Sequence, residues 1–152
     1  MLVLESTEDL PAVLEAMSMV GQENIVGYLL GGMHEWASSG RLLATIPQVS
    51  ARELHSRANA GDRSFQILDV REDSEWEEGH IPGAVHIPFH DLLSRLDEVP
   101  SNKRVATICG SGERSSIAAS ILKAHGFEPV NAIGGMDAWK SDTLPLRESQ
   151  VS

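Results

Sequence analysis

The feature that most constrains the fold is the alternation of short apolar runs with polar, helix-forming segments from residue 46 to residue 146. Strands are predicted at the runs Ile46–Val49, Phe65–Val70, Val85–Ile87, Val105–Ile108 and Val130–Ile133. The second of these is apolar at nearly every position, which is typical of a strand buried on both faces of a sheet. Strands that alternate with helices predict a parallel sheet with helices on both sides. The expected fold class is therefore α/β with three layers.

Three helices between these strands are predicted from start and stop signals. A serine followed three residues later by a glutamate has the spacing of a capping box at the start of the helix 51–58. Asp91 is placed to cap a helix over Leu92–Leu96. A third helix is predicted over Arg114–His125, and it ends before a glycine, the residue type that commonly follows the last turn of a helix.

Composition disfavours several classes of protein. The 152 residues include 22 acidic and 12 basic side chains, and the resulting net charge of −10 would repel a nucleic-acid backbone. The longest apolar stretch, Ile25–Met33, is interrupted by glycines and is too short to span a bilayer. The first residues lack the basic start of a signal peptide. We therefore expect a soluble, cytoplasmic protein with neither nucleic acid nor a membrane as partner.

The segment Cys109–Ser115 connects a predicted buried strand to a predicted helix. Cys109 is the one cysteine of the chain, so no internal disulfide can form. The glycines of this segment allow the backbone to curl with several N–H groups pointing inward, and the helix adds the positive end of its dipole. These features favour a thiolate, the nucleophilic form of cysteine. The alternative is a buried structural thiol that packs as a small apolar side chain.

Arg114 strengthens the functional interpretation of this segment. A cation in the first turn of a helix opposes the helix dipole, at a cost of roughly 0.3–1 kcal/mol. Its presence there is explained if an anion normally lies beside it. The segment also lies where open parallel sheets bind their ligands, beyond the carboxyl ends of the strands.

Residues 46–146 resemble a single rhodanese domain. The resemblance covers four motifs in the order and spacing of that family, namely Ile67–Arg71, Gly79–Ala84, Cys109–Ser115 and Gly134–Trp139. It implies a sulfurtransferase that needs no cofactor and no metal. The Cys109 thiolate would attack the outer sulfur of thiosulfate or another sulfane donor, and a thiol or cyanide would then remove the sulfur from the Cys109 persulfide.

The resemblance also implies roles for neighbouring residues. The persulfide would lie in a ring of N–H groups from the residues after the cysteine, which are Gly110, Ser111, Gly112, Glu113, Arg114 and Ser115. Asp69 and Arg71 would support the site through hydrogen bonds, although an ordinary structural ion pair is the simpler interpretation of these two residues. His80 is interpreted as bracing a turn.

Two other functions stay open on sequence grounds. One is a rhodanese-like module that docks partner proteins without catalysis, although such modules usually lack the cysteine that is present here. The other is a cysteine-dependent phosphatase or arsenate reductase. Enzymes of that kind on a related fold have one residue more in the loop, whereas four residues separate Cys109 from Arg114. The shorter loop fits a sulfur atom better than a tetrahedral oxyanion.

Other charged residues bear on the choice of partner. Glu113 places a negative charge beside a site for dianionic thiosulfate, so a persulfide carried by a small thiol or by a protein would suffer less repulsion. The acidic run at 72–78 is interpreted as a solvated helix face. His86 and His90 flank Pro88, which disfavours the helix that a two-histidine metal site would need, and no metal is expected.

An internal repeat precedes this domain. Leu30–Trp36 is similar to Ile133–Trp139, and in the same alignment Ser6 stands where Cys109 stands. A single long period of this kind favours duplicated domains over a solenoid.

The repeat predicts how the chain is organised. Residues 1–45 are expected to be the C-terminal remnant of an upstream, cysteine-less rhodanese-like copy, 46–146 the rhodanese domain and 147–152 a tail. The arrangement is similar to fusion proteins in which a metallo-β-lactamase-fold domain precedes tandem rhodanese modules, and the chain would then be a fragment of such a protein. We expect the apolar side chains of residues 1–45 to pack on the main domain or on a second copy in a homodimer.

Overall fold

The computed structural model describes residues 1–19, 21–22, 24–62 and 64–147. The chain divides into two compact units, residues 1–45 and residues 46–152, named here the N-terminal unit and the C-terminal unit. Of the predicted tail, residues 148–152 lie outside the described residues. Arg147 exchanges two backbone hydrogen bonds with His80, of 2.9 and 2.8 Å.

The N-terminal unit contains two strands and two helices. Its elements are β1 (Leu2–Leu4), α1 (Leu10–Met19), β2 (Tyr28–Leu30) and α2 (Gly32–Ser38), with a 3₁₀ turn at Thr7–Asp9. The strands β1 and β2 are parallel neighbours. Ser6 caps the 3₁₀ turn, since its hydroxyl accepts a hydrogen bond from the backbone N–H of Glu8.

The C-terminal unit contains a five-stranded sheet. Its strands are β3 (Gln48–Val49), β4 (Phe65–Asp69), β5 (Val85–His86), β6 (Arg104–Ile108) and β7 (Glu128–Ala132). Its helices are α3 (Ala51–Asn59), α4 (Asp73–Glu77), α5 (Glu113–Ala124) and α6 (Gly135–Ser141), with a 3₁₀ turn at Leu96–Glu98. The strand order is β3-β7-β6-β4-β5, and every neighbouring pair is parallel.

The register of the two central strands brings two polar segments to one edge of the sheet. Asp69 at the end of β4 lies opposite Ile108 at the end of β6. The residues that follow each strand, Arg71 and Cys109, therefore leave the sheet at the same carboxyl edge. This is the edge at which α/β sheets place their ligands.

Two apolar clusters cover the faces of this sheet. Neighbouring residues of a strand point to opposite faces, so Ile67 belongs to one cluster and Leu68 to the other. Trp139 of α6 is fully buried in the first cluster, and Leu122 of α5 is fully buried in the second. Burial of a side chain of Leu size contributes about 1.5–3 kcal/mol. The predicted three-layer α/β architecture is confirmed.

The helix predicted over Leu92–Leu96 is wrong. The segment forms successive turns, in which the N–H of Asp91 bonds to the carbonyl of Pro88 and the N–H of Ser94 to that of Asp91. The Ser94 hydroxyl also donates to the Asp91 carbonyl at 2.8 Å. Side-chain bonds of this kind compete with helix formation.

None of the helices formed by the described residues is both long and apolar enough to cross a lipid bilayer.

Candidate active site

The loop that carries Cys109 begins where β6 ends. Its backbone leaves the strand after Ile108 and enters α5 at Glu113. Gly112, immediately before the helix, has a φ of 105°, a conformation that side chains with a Cβ rarely adopt. A Cβ at this position would also lie 3.3 Å from the backbone nitrogen of Gly134. Glycine is therefore favoured here by the backbone geometry, and a Cβ would in addition need Gly134 to shift by a few tenths of an ångström.

The Cys109 sulfur lies between an apolar wall and a backbone amide. The side chain is 1% exposed and belongs to the cluster that includes Leu68, Val70 and Ala118. The N–H of Gly112 donates to Sγ at 3.2 Å. The side chain is thus packed as a buried thiol would be. It also accepts a hydrogen bond from a backbone N–H, which would stabilise an anionic sulfur.

Two backbone N–H groups in the first turn of α6 donate hydrogen bonds to the Cys109 loop. The N–H of Met136 donates to the Cys109 carbonyl at 2.8 Å, and that of Asp137 donates to the Gly110 carbonyl at 3.0 Å. In a trans peptide the N–H points opposite to the C=O. The amides of Gly110 and Ser111 consequently point away from α6, as a ring of inward N–H groups requires.

Arg114 forms a two-pronged bond with Glu75 of α4. Its Nη1 donates to Oε2 at 2.7 Å and its Nη2 to Oε1 at 2.8 Å, while Glu72 Oε1 lies 3.8 Å from Nη1. The pair borders Gly110, because a Cβ on that residue would lie 3.6 Å from Arg114 Nη2 and 3.7 Å from Glu75 Oε1. The anion expected beside Arg114 is therefore, in this structure, a residue of the chain.

The electrostatics of this pair follow from its geometry. The hydrogen bonds from Arg114 lower the pKa of Glu75 below its usual value. The pKa of Arg114 is raised, mainly by its bond with Glu75 and further by the nearby Cys109. The interpretation of 72–78 as a solvated helix face is wrong for Glu75, which lies 39 residues from its partner in sequence.

Asp69 and Arg71 form a buried ion pair beneath α4. Their side chains are 0% and 2% exposed, and Arg71 Nη2 lies 2.7 Å from Asp69 Oδ2. The remaining donors of the guanidinium bond to the carbonyls of Glu75 at 2.8 Å and Gly79 at 2.9 Å. The pair therefore fixes the middle of α4 and the turn after it to the end of β4, and through α4 it positions the Glu75 carboxylate.

A polar chain that sequence reasoning missed supports the other side of the loop. Ser115 is buried, and its hydroxyl donates to Asn131 Oδ1 at 2.7 Å. Asn131 Nδ2 in turn donates to Gln48 Oε1 at 3.0 Å, and Thr107 Oγ1 donates to the Ser115 carbonyl at 2.9 Å. An asparagine inside an otherwise apolar strand was the available signal, because buried polar groups require partners.

The remaining predicted residues make other contacts, and His86 Nε2 lies 2.8 Å from the Arg71 carbonyl. Ser111 and Glu113 are exposed. His80 stacks on Trp76 at 3.8 Å between ring centroids, and its Nδ1 lies 3.2 Å from the Trp76 carbonyl. His86 stacks on the same indole at 4.6 Å. Across the described ranges, no group of three or more His, Cys, Asp or Glu side chains is arranged to hold a metal ion.

Fold and site together define a class of protein: an α/β domain that presents a cysteine-bearing loop at the carboxyl edge of a five-stranded parallel sheet. Residues 50–142 match the family described as the Rhodanese-like domain. The chain belongs to this family, and the predicted resemblance is confirmed.

Individual relatives agree with this assignment. The chain is 40% identical over 114 residues to the "Putative sulfur carrier protein YrkF" of Bacillus subtilis, and the match covers 74% of this chain and 59% of that protein. It is 31% identical over 102 residues to a sulfurtransferase of Allochromatium vinosum, with 66% of this chain and 94% of the relative covered. A rhodanese-like domain protein from Staphylococcus aureus superposes with a TM-score of 0.63 at 30% identity, covering 69% of this chain and 100% of that one.

Proposed function

We propose that the chain is a sulfurtransferase in which Cys109 carries a sulfane sulfur as a persulfide. The observation that carries the proposal is the bond of 3.2 Å from the Gly112 amide to Cys109 Sγ. An amide aimed at sulfur stabilises negative charge on it, and negative charge is common to the attacking thiolate and to the persulfide that follows. The family match and the sulfurtransferases among the relatives support the same reaction class.

The reaction divides into two balanced steps. The Cys109 thiolate attacks the outer sulfur of the donor, a new S–S bond forms, and the old S–S bond breaks with its electron pair leaving on sulfite or on a thiolate. The terminal sulfur of the Cys109 persulfide is then attacked by a thiolate or by cyanide, which regenerates the cysteine. No external oxidant or reductant is needed, and passage through a covalent intermediate predicts ping-pong kinetics.

The loop would hold the persulfide without a general base. The amides of Gly110 and Ser111 lie on the side of the loop away from α6, and that of Gly112 donates to Cys109 Sγ. These amides would surround the terminal sulfur together with the amides that follow in Glu113, Arg114 and Ser115. Because bonds from α6 to the Cys109 and Gly110 carbonyls already orient the amides of Gly110 and Ser111, these two donors need little reorganisation when charge arrives. The partners proposed are small sulfane donors or a protein persulfide, with thiols or cyanide as acceptors.

Intact-mass measurement after incubation with a sulfane donor tests this proposal. Thiosulfate and a small-molecule persulfide are offered separately, with Cys109→Ser as the control. We expect the wild-type chain to gain the mass of one sulfur atom and to lose it when cyanide is added, and we expect no gain in Cys109→Ser. A wild-type chain that takes up no sulfur from any donor would instead support the rhodanese-like module that docks partners without catalysis.

A further inference from the structure

Among the described side chains around the Cys109 loop, negative charges outnumber positive charges. Arg114 is a cation that borders the loop, and both of its terminal nitrogens are bonded to Glu75. Glu72 lies 3.8 Å from the same guanidinium, and Glu113, the residue before Arg114, is exposed. The positive charge of Arg71 does not alter this balance, because it is buried against Asp69 at 2.7 Å.

This arrangement changes what Arg114 can do for an incoming donor. A free guanidinium would attract the oxygens of an anionic donor and hold them in a two-pronged bond. In this structure both terminal nitrogens of Arg114 already donate to the Glu75 carboxylate. A donor with two negative charges therefore meets the repulsion of nearby carboxylates, and the contacts of the described residues show no open cation beside the loop to compensate for it.

We infer that Glu75 determines which donors the Cys109 loop accepts, and that the site selects sulfane donors with no more than one negative charge over the thiosulfate dianion. The inference rests on the proposed sulfur transfer and deepens it, because it names the class of donor. Glu75 acts here by neutralising and holding Arg114 and takes no part in bond making. It is a specificity-determining residue.

A pair of donors that differ mainly in charge isolates the effect. Methanethiosulfonate has a methyl group where thiosulfate has one of its charged oxygens, so the two anions are similar in size but carry one and two negative charges. In both cases the Cys109 thiolate attacks the terminal sulfur, and the S–S bond breaks with its electron pair on the leaving group, methanesulfinate or sulfite. The quantity measured is the ratio of kcat/KM for methanethiosulfonate to that for thiosulfate, with cyanide as acceptor.

Glu75→Gln removes the negative charge that neutralises Arg114 and one of its two acceptors, while keeping the shape of the side chain. Removal of a unit charge a few ångströms from the donor, in surroundings of intermediate dielectric, changes the relative affinity for the second negative charge by about tenfold. We expect the ratio to fall by about that factor, mainly because thiosulfate improves. Glu77→Gln is the matched control: Glu77 is an exposed carboxylate of the same helix, and its loss is expected to change the ratio by less than about twofold.

Glu72→Gln provides a second measurement if Glu75→Gln does not fold. Since Glu72 is farther from the guanidinium, a smaller fall in the same direction is expected. If Glu75→Gln and Glu77→Gln shift the ratio equally, or if neither shifts it while both variants still transfer sulfur, Glu75 does not set donor choice. Absence of sulfur transfer from either donor in the wild-type chain would instead refute the proposed function itself.

Discussion

Gly135→Ala tests the packing that fixes the cysteine loop. A Cβ at this position would overlap the Cys109 carbonyl oxygen and lie 2.5 Å from the Gly110 carbonyl oxygen. Both are backbone atoms of the loop and cannot rotate away. The first turn of α6 and the loop would have to separate by nearly 1 Å before the contacts became acceptable.

The cost of that separation can be worked out from the contacts it breaks. The bonds from Met136 and Asp137 to the two carbonyls, of 2.8 and 3.0 Å, would both lengthen beyond hydrogen-bond range. Two lost backbone bonds cost about 1 kcal/mol each. A φ of 54° adds roughly 1 kcal/mol for any residue with a Cβ. The expected loss in free energy of unfolding is therefore about 3 kcal/mol.

Gly83→Ala is the matched control for the measurement. Gly83 has a φ of 80° but nothing within 4 Å of the position of its missing Cβ, so its substitution should cost only the backbone term of about 1 kcal/mol. Urea denaturation gives both free energies, and the rate of Cys109 alkylation by iodoacetamide should rise in Gly135→Ala alone. Equal losses of stability in the two variants, with unchanged alkylation, would refute the claim that α6 fixes the loop.

Three further predictions concern the groups around the site. Asp69→Asn should cost about 3–5 kcal/mol by urea denaturation, because it leaves the buried Arg71 charge without its counter-charge. Asp73→Asn, at a side chain 83% exposed, should change stability by less than about 0.5 kcal/mol. Arg114 lowers the pKa of Glu75 in the folded state. The stability that the Glu75–Arg114 pair contributes is therefore complete above the unfolded pKa of 4.5 and is lost as the pH falls through the lower folded pKa. Melting temperatures measured from about pH 6 to about pH 3 should fall less steeply in Glu75→Gln than in wild type. Asn131→Ala should cost about 1 kcal/mol, because it removes the shorter of two bonds from the buried Ser115 hydroxyl and leaves that hydroxyl the Gly112 carbonyl at 3.1 Å. It should also change the alkylation rate of Cys109.

Much of the fold could be predicted from the sequence, because its signals are local. Buried strands appear as apolar runs, and Ser50 caps α3 as its spacing predicts, accepting a bond from the Glu53 N–H at 3.2 Å. The helix predicted after Asp91 does not form, although its sequence signals are of the same local kind. The segment has a cap and apolar residues, but it makes successive short-range turns and a bond from the Ser94 hydroxyl to the Asp91 carbonyl. A capping signal alone does not distinguish a helix from a run of turns.

The site was harder to predict because its contacts join distant parts of the chain. The unfavourable position of Arg114 at a helix start correctly indicated a nearby anion. Its identity as Glu75 could not be read from the sequence, since the two residues meet only after β4 and β6 pair in register. The chain from Ser115 through Asn131 to Gln48 likewise connects residues that only the order of the strands brings together. The roles proposed for the loop residues in sulfur transfer stay predictions.

The repeated double glycine separates what the fold requires from what the chemistry requires. Gly31 and Gly32 have φ values of 81° and 59°, close to the 70° and 54° of Gly134 and Gly135. In each unit the second glycine leaves room for a close approach, by the Glu5 side chain in the N-terminal unit and by the cysteine loop in the C-terminal unit. Since Ser6 stands at the position of Cys109, this turn persists without a thiol. The double glycine is therefore a feature of how a helix starts beside a strand end, and the proposed sulfur transfer depends on the residues of the loop. That residues 1–45 are the end of a second rhodanese-like domain stays a prediction.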